Sequence, residues 1–129
     1  MKLQLLNDSF NYVKNVDEYM KVFRDFLRVG KFKIPVCVTC KTKIWPPSDI
    51  CKNCYSKTIR MLKIPLEGRL IQNSESFIGR AKNFGLVEIS GIRIIGILND
   101  DEMRPGDRVK LIKCGVDEND SPYYIFSHI

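Results

Sequence analysis

Four of the chain's five cysteines fall in two tight pairs, Cys37-Val-Thr-Cys40 and Cys51-Lys-Asn-Cys54, separated by ten residues. Each C-x2-C loop can present two thiolates to one ion, and ten residues suffice for the hairpin return that brings the loops together. That separation is a little shorter than in the usual zinc-ribbon pattern. Four sulfurs around one ion, at Zn–S of about 2.3 Å, make a closed site with no open position for a substrate or an activated water. The expected cofactor is one structural Zn²⁺ on Cys37, Cys40, Cys51 and Cys54. Glycine often follows the second cysteine of a knuckle, where φ tends to be positive. Lys41 and Tyr55 hold those places here, at modest strain.

Little else in the chain offers chemistry. The single histidine, His128, lies one residue from the end with no recognisable partner and reads as an exposed tail residue. Asp100-Asp101-Glu102 precede Met103-Arg104-Pro105-Gly106 and read as a solvated loop. Cys114 sits in an apolar strand and reads as a small buried hydrophobe. There is no Gly-rich phosphate loop, Ser-centred elbow or His–Cys arrangement, so the chain is not expected to be an enzyme. The start, MKLQLLNDSF, lacks the h-region and cleavage site of a signal peptide, and the cysteine count is odd. Reduced thiols in the cytoplasm are the expectation. No apolar run approaches the roughly 20 residues of a membrane span.

Charge is concentrated around the cysteines. Residues 31–63 hold eight Lys/Arg against one acid, Asp49, a local charge of +7. Residues 1–30 carry +1 and residues 64–129 carry −2, so this segment holds all of the net excess of +6. An anionic partner should feel it first. Part of the excess, notably Lys41, Lys43 and Lys52, can instead offset the charge of about −2 on a four-thiolate zinc centre.

The elements that must position the cysteines fall into three pieces: an N-terminal helical segment at 1–30, the cysteine module at 31–63 and a β-rich part at 64–129. Apolar residues at 19, 20, 23, 26 and 27 follow one helical face, with Asp17 as the N-cap and Gly30 where a C-terminal cap belongs. That face either packs on the rest of the chain or docks a partner. A shorter helix capped by Asp8 or Ser9 can precede it. The cysteine module has too few large apolar groups to fold unaided. Beyond it, Leu66–Phe77 reads as a long strand, and Leu86–Ile89 and Ile92–Leu98 flank the hairpin pair Ser90-Gly91. Residues 103–107 form a turn of type II, and Val109–Cys114 and Tyr123–Ser127 supply two more strands. Five strands in this length suit a small Greek-key barrel such as the OB-fold, with Gly68, Gly79 and Gly96 relieving crowding where strands bend.

These motifs, in this order, resemble the acyl-CoA-associated OB-fold proteins of archaeal type. The likeness is carried by Phe26-Leu27-Arg28-Val29-Gly30-Lys31-Phe32, by the two knuckles with Trp45-Pro46-Pro47 between them, by Leu86 to Arg93, and by Pro105-Gly106-Asp107-Arg108-Val109. The resemblance covers about residues 17–127. It implies a mainly β protein with an N-terminal helix, in which a rubredoxin-like zinc ribbon is followed by a five-stranded OB-fold barrel. It also implies a non-catalytic partner of thiolase-like, CoA-dependent enzymes. Similar archaeal proteins bridge acetoacetyl-CoA thiolase and hydroxymethylglutaryl-CoA synthase.

The residues fit an acyl-CoA ligand. Lys41, Lys43 and Arg60 can hold CoA phosphates or meet a partner, and Trp45, held by two prolines in an extended segment, can stack on adenine or on the partner. Trp45 can equally be a plug between ribbon and barrel. The competing function is single-stranded nucleic-acid binding through aromatic platforms such as Phe77, Phe84, Tyr123 and Tyr124. The −2 charge of the barrel segment speaks against it.

Overall fold

The structure, a computed structural model, describes residues 18–76, 82–100 and 102–129. Asp8, Ser9, Asp17, Phe77 and Gly79 lie outside the described residues. Within them, one helix is followed by seven strands: α1 (Glu18–Arg28), β1 (Lys33–Cys37), β2 (Ile59–Lys63), β3 (Glu67–Ser76), β4 (Lys82–Ile89), β5 (Ile92–Leu98), β6 (Arg108–Val116) and β7 (Pro122–His128). The chain divides into two compact units, Met1–Ile64 and Pro65–Ile129.

In the first unit, α1 turns Val22, Phe23, Phe26 and Leu27 inward, each at most 5% exposed. Packing on the unit's own core thus accounts for Phe23, Phe26 and Leu27 of the helix's apolar face. The opposite face is polar, where Asp25 pairs with Lys21 and Arg28. The helix ends in a Schellman cap. Gly30, at φ +77°, donates its N–H to Leu27 O, and Lys31 donates to Phe26 O, so two terminal carbonyls are satisfied. β1 and β2 pair antiparallel, from Lys33 opposite Lys63 to Cys37 opposite Ile59. Phe32, Ile34, Ile44, Ile59 and Met61 are buried. Lys33 is also buried, with its ammonium 4.7 Å from the centre of the Phe26 ring, a cation–π contact that lets a charge lie under the helix. The scarcity of apolar groups in the cysteine module is made up by the helix.

The second unit is a closed barrel in the order β3-β4-β5-β7-β6, with β6 returning to β3. All pairings are antiparallel except β5 with β7. This is the five-stranded OB topology, and its core is Leu70, Val87, Ile89, Ile92, Ile94, Leu98, Met103, Val109, Leu111, Tyr124 and Phe126. Ser90 and Gly91 both take positive φ (49° and 86°), as a type I′ hairpin requires. Arg104 to Asp107 form the type II turn, with Gly106 at φ +96° and Asp107 N donating to Arg104 O at 3.0 Å. Cys114 is buried opposite Tyr124, and desolvation raises both side chains above their ordinary pKa values, Cys114 adding to the effect on Tyr124.

His128 departs from expectation. It is exposed, but it has a partner: Nε2 lies 2.8 Å from Asp107 Oδ2. The same carboxylate oxygen accepts the Arg104 N–H, so strand β7 pins the type II turn. The Arg104 N–H, and then His128, hold the Asp107 carboxyl below its ordinary 3.8. A carboxylate depressed in the folded state stabilises above its unfolded value, and that contribution is lost as pH falls through the folded value. Asp107→Ala is therefore expected to lower the denaturation midpoint of the barrel at neutral pH, followed by circular dichroism. The gap from the parent protein should close below about pH 4, and a gap unchanged near pH 2 would contradict the assignment.

Candidate metal centre

The two cysteine loops have the same backbone design. Cys37 O accepts from Lys41 N and Cys37 N donates to Thr42 O. Cys51 O accepts from Tyr55 N and Cys51 N donates to Ser56 O. Lys41 and Tyr55 sit at φ 66° and 62°, the left-handed conformation expected after the second cysteine of each knuckle. Each loop curls its N–H groups toward its first sulfur: Cys40 N to Cys37 Sγ at 3.5 Å and Asn53 N to Cys51 Sγ at 3.4 Å.

All four sulfurs lie within 4.8 Å of one another. Cys37 and Cys54 approach to 3.6 Å, and Cys40 and Cys51 to 3.5 Å, so each close pair takes one cysteine from each knuckle. A tetrahedral ion with Zn–S near 2.3 Å places its sulfurs about 3.8 Å apart, so the set fits one ion. Cys37 and Cys51 are fully buried, Cys40 is half-buried and Cys54 exposed.

The electrostatics point the same way. Hydrogen bonds from Asn53 and then Thr42 pull Cys40 down from 9.0 to about 5. Cys37 is lowered as well, chiefly through the Cys40 backbone. At Cys54 the Ser56 N–H favours the thiolate, but desolvation and hydrogen bonds with the other three sulfurs outweigh it and push the thiol up to about 12. Four thiolates packed this closely repel one another, and a divalent cation at their centre removes the conflict. The four cysteines can hold a metal ion, and as a closed set they would hold it structurally.

Of the other residues singled out from sequence, Lys43 and Arg60 both stand opposite Val36 in the strand pairing. Lys43 and Trp45 share an open cleft of about 290 Å³ with Thr42, Ile44, Lys52 and Asn53. Lys41 turns back on its own knuckle, with Nζ donating to Val38 O at 3.0 Å. Arg60 points outward from β2. Trp45 is half-buried, edge-on to Phe23 at 5.7 Å and to Phe32 at 6.0 Å. The segment holding it is not extended: the Trp45–Pro46 peptide is cis and the chain bends there.

Sequence reasoning missed Asn53, Thr42 and Ser56. Asn53 Nδ2 donates to Cys40 Sγ and to Thr42 Oγ1, both at 3.4 Å, and Thr42 Oγ1 lies 3.1 Å from the same sulfur. Ser56 Oγ accepts from Thr39 Oγ1 and from Thr58 N. A usable signal was present: Cys37-Val-Thr-Cys-Lys-Thr42 and Cys51-Lys-Asn-Cys-Tyr-Ser56 each carry a hydroxyl two residues past the second cysteine.

No described helix is long and apolar enough to cross a membrane. The chain matches no family model and no curated protein. Among solved structures it is similar to a chain of the Ltp2-ChsH2(DUF35) aldolase, with a TM-score of 0.71 over 90% of this chain and 96% of that one, at 17% identity. At that identity the likeness is one of fold.

Proposed function

We propose that this chain is a non-catalytic, acyl-CoA-associated subunit that binds or bridges thiolase-like and hydroxymethylglutaryl-CoA synthase-like enzymes, with one structural zinc on Cys37, Cys40, Cys51 and Cys54. The observation that carries the reading is the fold match along nearly the whole of both chains to a component of the Ltp2-ChsH2(DUF35) aldolase. That name joins two components, which supports reading this chain as one part of an enzyme complex. The order of sequence motifs, resembling acyl-CoA-associated proteins, supplies the CoA and thiolase part.

Zinc suits the site because all-thiolate tetrahedral sets favour zinc or iron–sulfur centres, and two C-x2-C knuckles make the zinc version. A closed set also argues for a structural role. Around it, Lys43 and Trp45 with Lys52 rim the cleft, and Lys41 and Arg60 add positive charge to the same unit. These side chains are the proposed contacts for CoA phosphates or for the partner's surface, where charge-assisted hydrogen bonds are strongest.

The test is native purification of the tagged full-length protein from its own cells. Recovery of a thiolase-like or synthase-like enzyme in near-stoichiometric amount supports the proposal, as does acyl-CoA binding by the recovered complex. Micromolar binding of single-stranded oligonucleotides with a steep salt dependence, and no such enzyme recovered, overturns it in favour of nucleic-acid binding.

A further inference from the structure

Asn53 stands between the two ligands of the second knuckle, and its polar groups reach both knuckles. The backbone N–H donates to Cys51 Sγ at 3.4 Å, while the side-chain amide donates across to Cys40 Sγ at 3.4 Å. Those two sulfurs form one of the two close cross-knuckle pairs, 3.5 Å apart. The amide also donates to Thr42 Oγ1, which itself lies 3.1 Å from Cys40 Sγ. Asn53, Thr42 and Cys40 thus make a closed triangle on one side of the centre.

Among the described residues the first knuckle makes the matching side-chain tie to the opposite loop, but no side-chain contact to a sulfur of the opposite knuckle. Its third position is Thr39, whose hydroxyl donates to Ser56 Oγ at 3.1 Å, the counterpart of the Asn53–Thr42 contact. The loops share a backbone design, yet the side chain between the cysteines reaches a sulfur of the opposite knuckle in one of them.

We propose that Asn53 is a positioning residue of the metal centre. Its two N–H groups hold Cys51 and Cys40 at fixed separation and draw charge from their sulfurs, so that it sets how tightly the centre holds its ion. This rests on the reading of the four cysteines as a metal site. The physical ground is that an N–H donor spreads the negative charge of a coordinating thiolate, and that groups behind the ligands fix ligand orientation. Losing such a partner typically costs about 10- to 100-fold in metal affinity. The residue type matters: an amide offers two N–H donors on the side chain, whereas a carboxylate of the same shape offers acceptors only and adds a negative charge.

That difference gives a test which a space-filling role would fail. Full-length wild type, Asn53→Ala and Asn53→Asp are loaded with Zn²⁺ and, separately, Co²⁺, and affinity is measured by competition with a chromophoric chelator. Asn53→Ala is expected to weaken binding about 10- to 100-fold, and Asn53→Asp to weaken it further. The sulfur-to-cobalt charge-transfer band should move to longer wavelength in Asn53→Ala, because sulfurs without the N–H donor are more electron-rich. If Asn53→Asp takes up no metal, the alanine variant's affinity and band position decide. Wild-type affinity in both variants overturns the proposal, and so does an aspartate variant near wild type beside a weakened alanine variant, the order expected of a filler. Failure of the wild type itself to bind an ion would overturn the metal reading and this proposal with it, whereas one ion per chain with indifferent variants would overturn this proposal alone.

Discussion

Removing the metal, by chelation or by Cys51→Ser, is expected to unfold the helix–ribbon unit while leaving the barrel's β-structure in place. Cys37 and Cys51 are fully buried between the loops, and all four sulfurs converge within 4.8 Å. Without a cation nothing offsets the mutual repulsion of thiolates at this spacing, and the two knuckles lose what draws them together. Metal binding in small zinc modules is worth about 10–16 kcal/mol at neutral pH, as large as the whole stability of an ordinary domain at about 5–15 kcal/mol. The apolar core beneath, from Phe23 and Phe26 to Ile34, Ile59 and Met61, belongs to the same unit and is too small to compensate. Trp45 is the chain's single tryptophan and packs on Phe23 and Phe32, so its emission reports on this unit. Chelation should shift that emission to longer wavelength, while far-ultraviolet circular dichroism keeps the barrel signal. Unchanged Trp45 emission, with metal analysis showing the ion gone, would refute a folding role for the site.

The clustering of the four cysteines was legible in the sequence because a metal site would impose a local signature, two C-x2-C loops with room for a return between them. The positive φ at Lys41 and Tyr55 was legible for the same reason. What surrounds the four sulfurs was not. Asn53 reaches Cys40 across the gap between knuckles, thirteen residues back in sequence, and spacing alone says nothing of that direction. Direction also decides what surrounds each of the basic residues. Lys43 borders the cleft, Lys41 folds onto Val38 O, and Arg60 takes an outward position on a strand whose neighbours Ile59 and Met61 are buried.

The barrel divides along a similar line. The Ser90-Gly91 hairpin and the 104–107 turn follow from φ-positive residues at fixed offsets, and the alternation of β5 follows from one face being core. The bulges, between Leu70 and Gln72 on β3 and between Leu111 and Lys113 on β6, could not be read, because each depends on a partner strand far along the chain. At the second bulge the alternation slips, leaving Ile112 and Lys113 both outward. Such slips add the twist that lets five strands close. The pairing of His128 with Asp107 was hidden for the same reason: a tail residue finds its partner only once β6 and β7 lie side by side.

Gly68→Ala is expected to cost the barrel about 3 kcal/mol, the upper end for overpacking a closed site. Gly68 is paired on both sides, with Ile89 of β4 and with Val109 of β6, where the barrel closes. A Cβ there would stand 2.0 Å from the Glu88 carbonyl oxygen and 2.9 Å from Ile89 Cγ1. The first obstacle is backbone, so relief requires β4 to move away from β3, and Val87 and Ile89 are fully buried on that strand. Gly91 provides the contrast. Its φ is +86° and nothing lies within 4 Å of the position a Cβ would take, so Gly91→Ala meets only the left-handed backbone penalty of about 1 kcal/mol. Urea titration of both variants, read through the β-sheet circular dichroism signal, should place Gly68→Ala well below Gly91→Ala, with the parent above both. Equal midpoints for the two variants would mean that β3 and β4 do not approach each other this closely at Gly68.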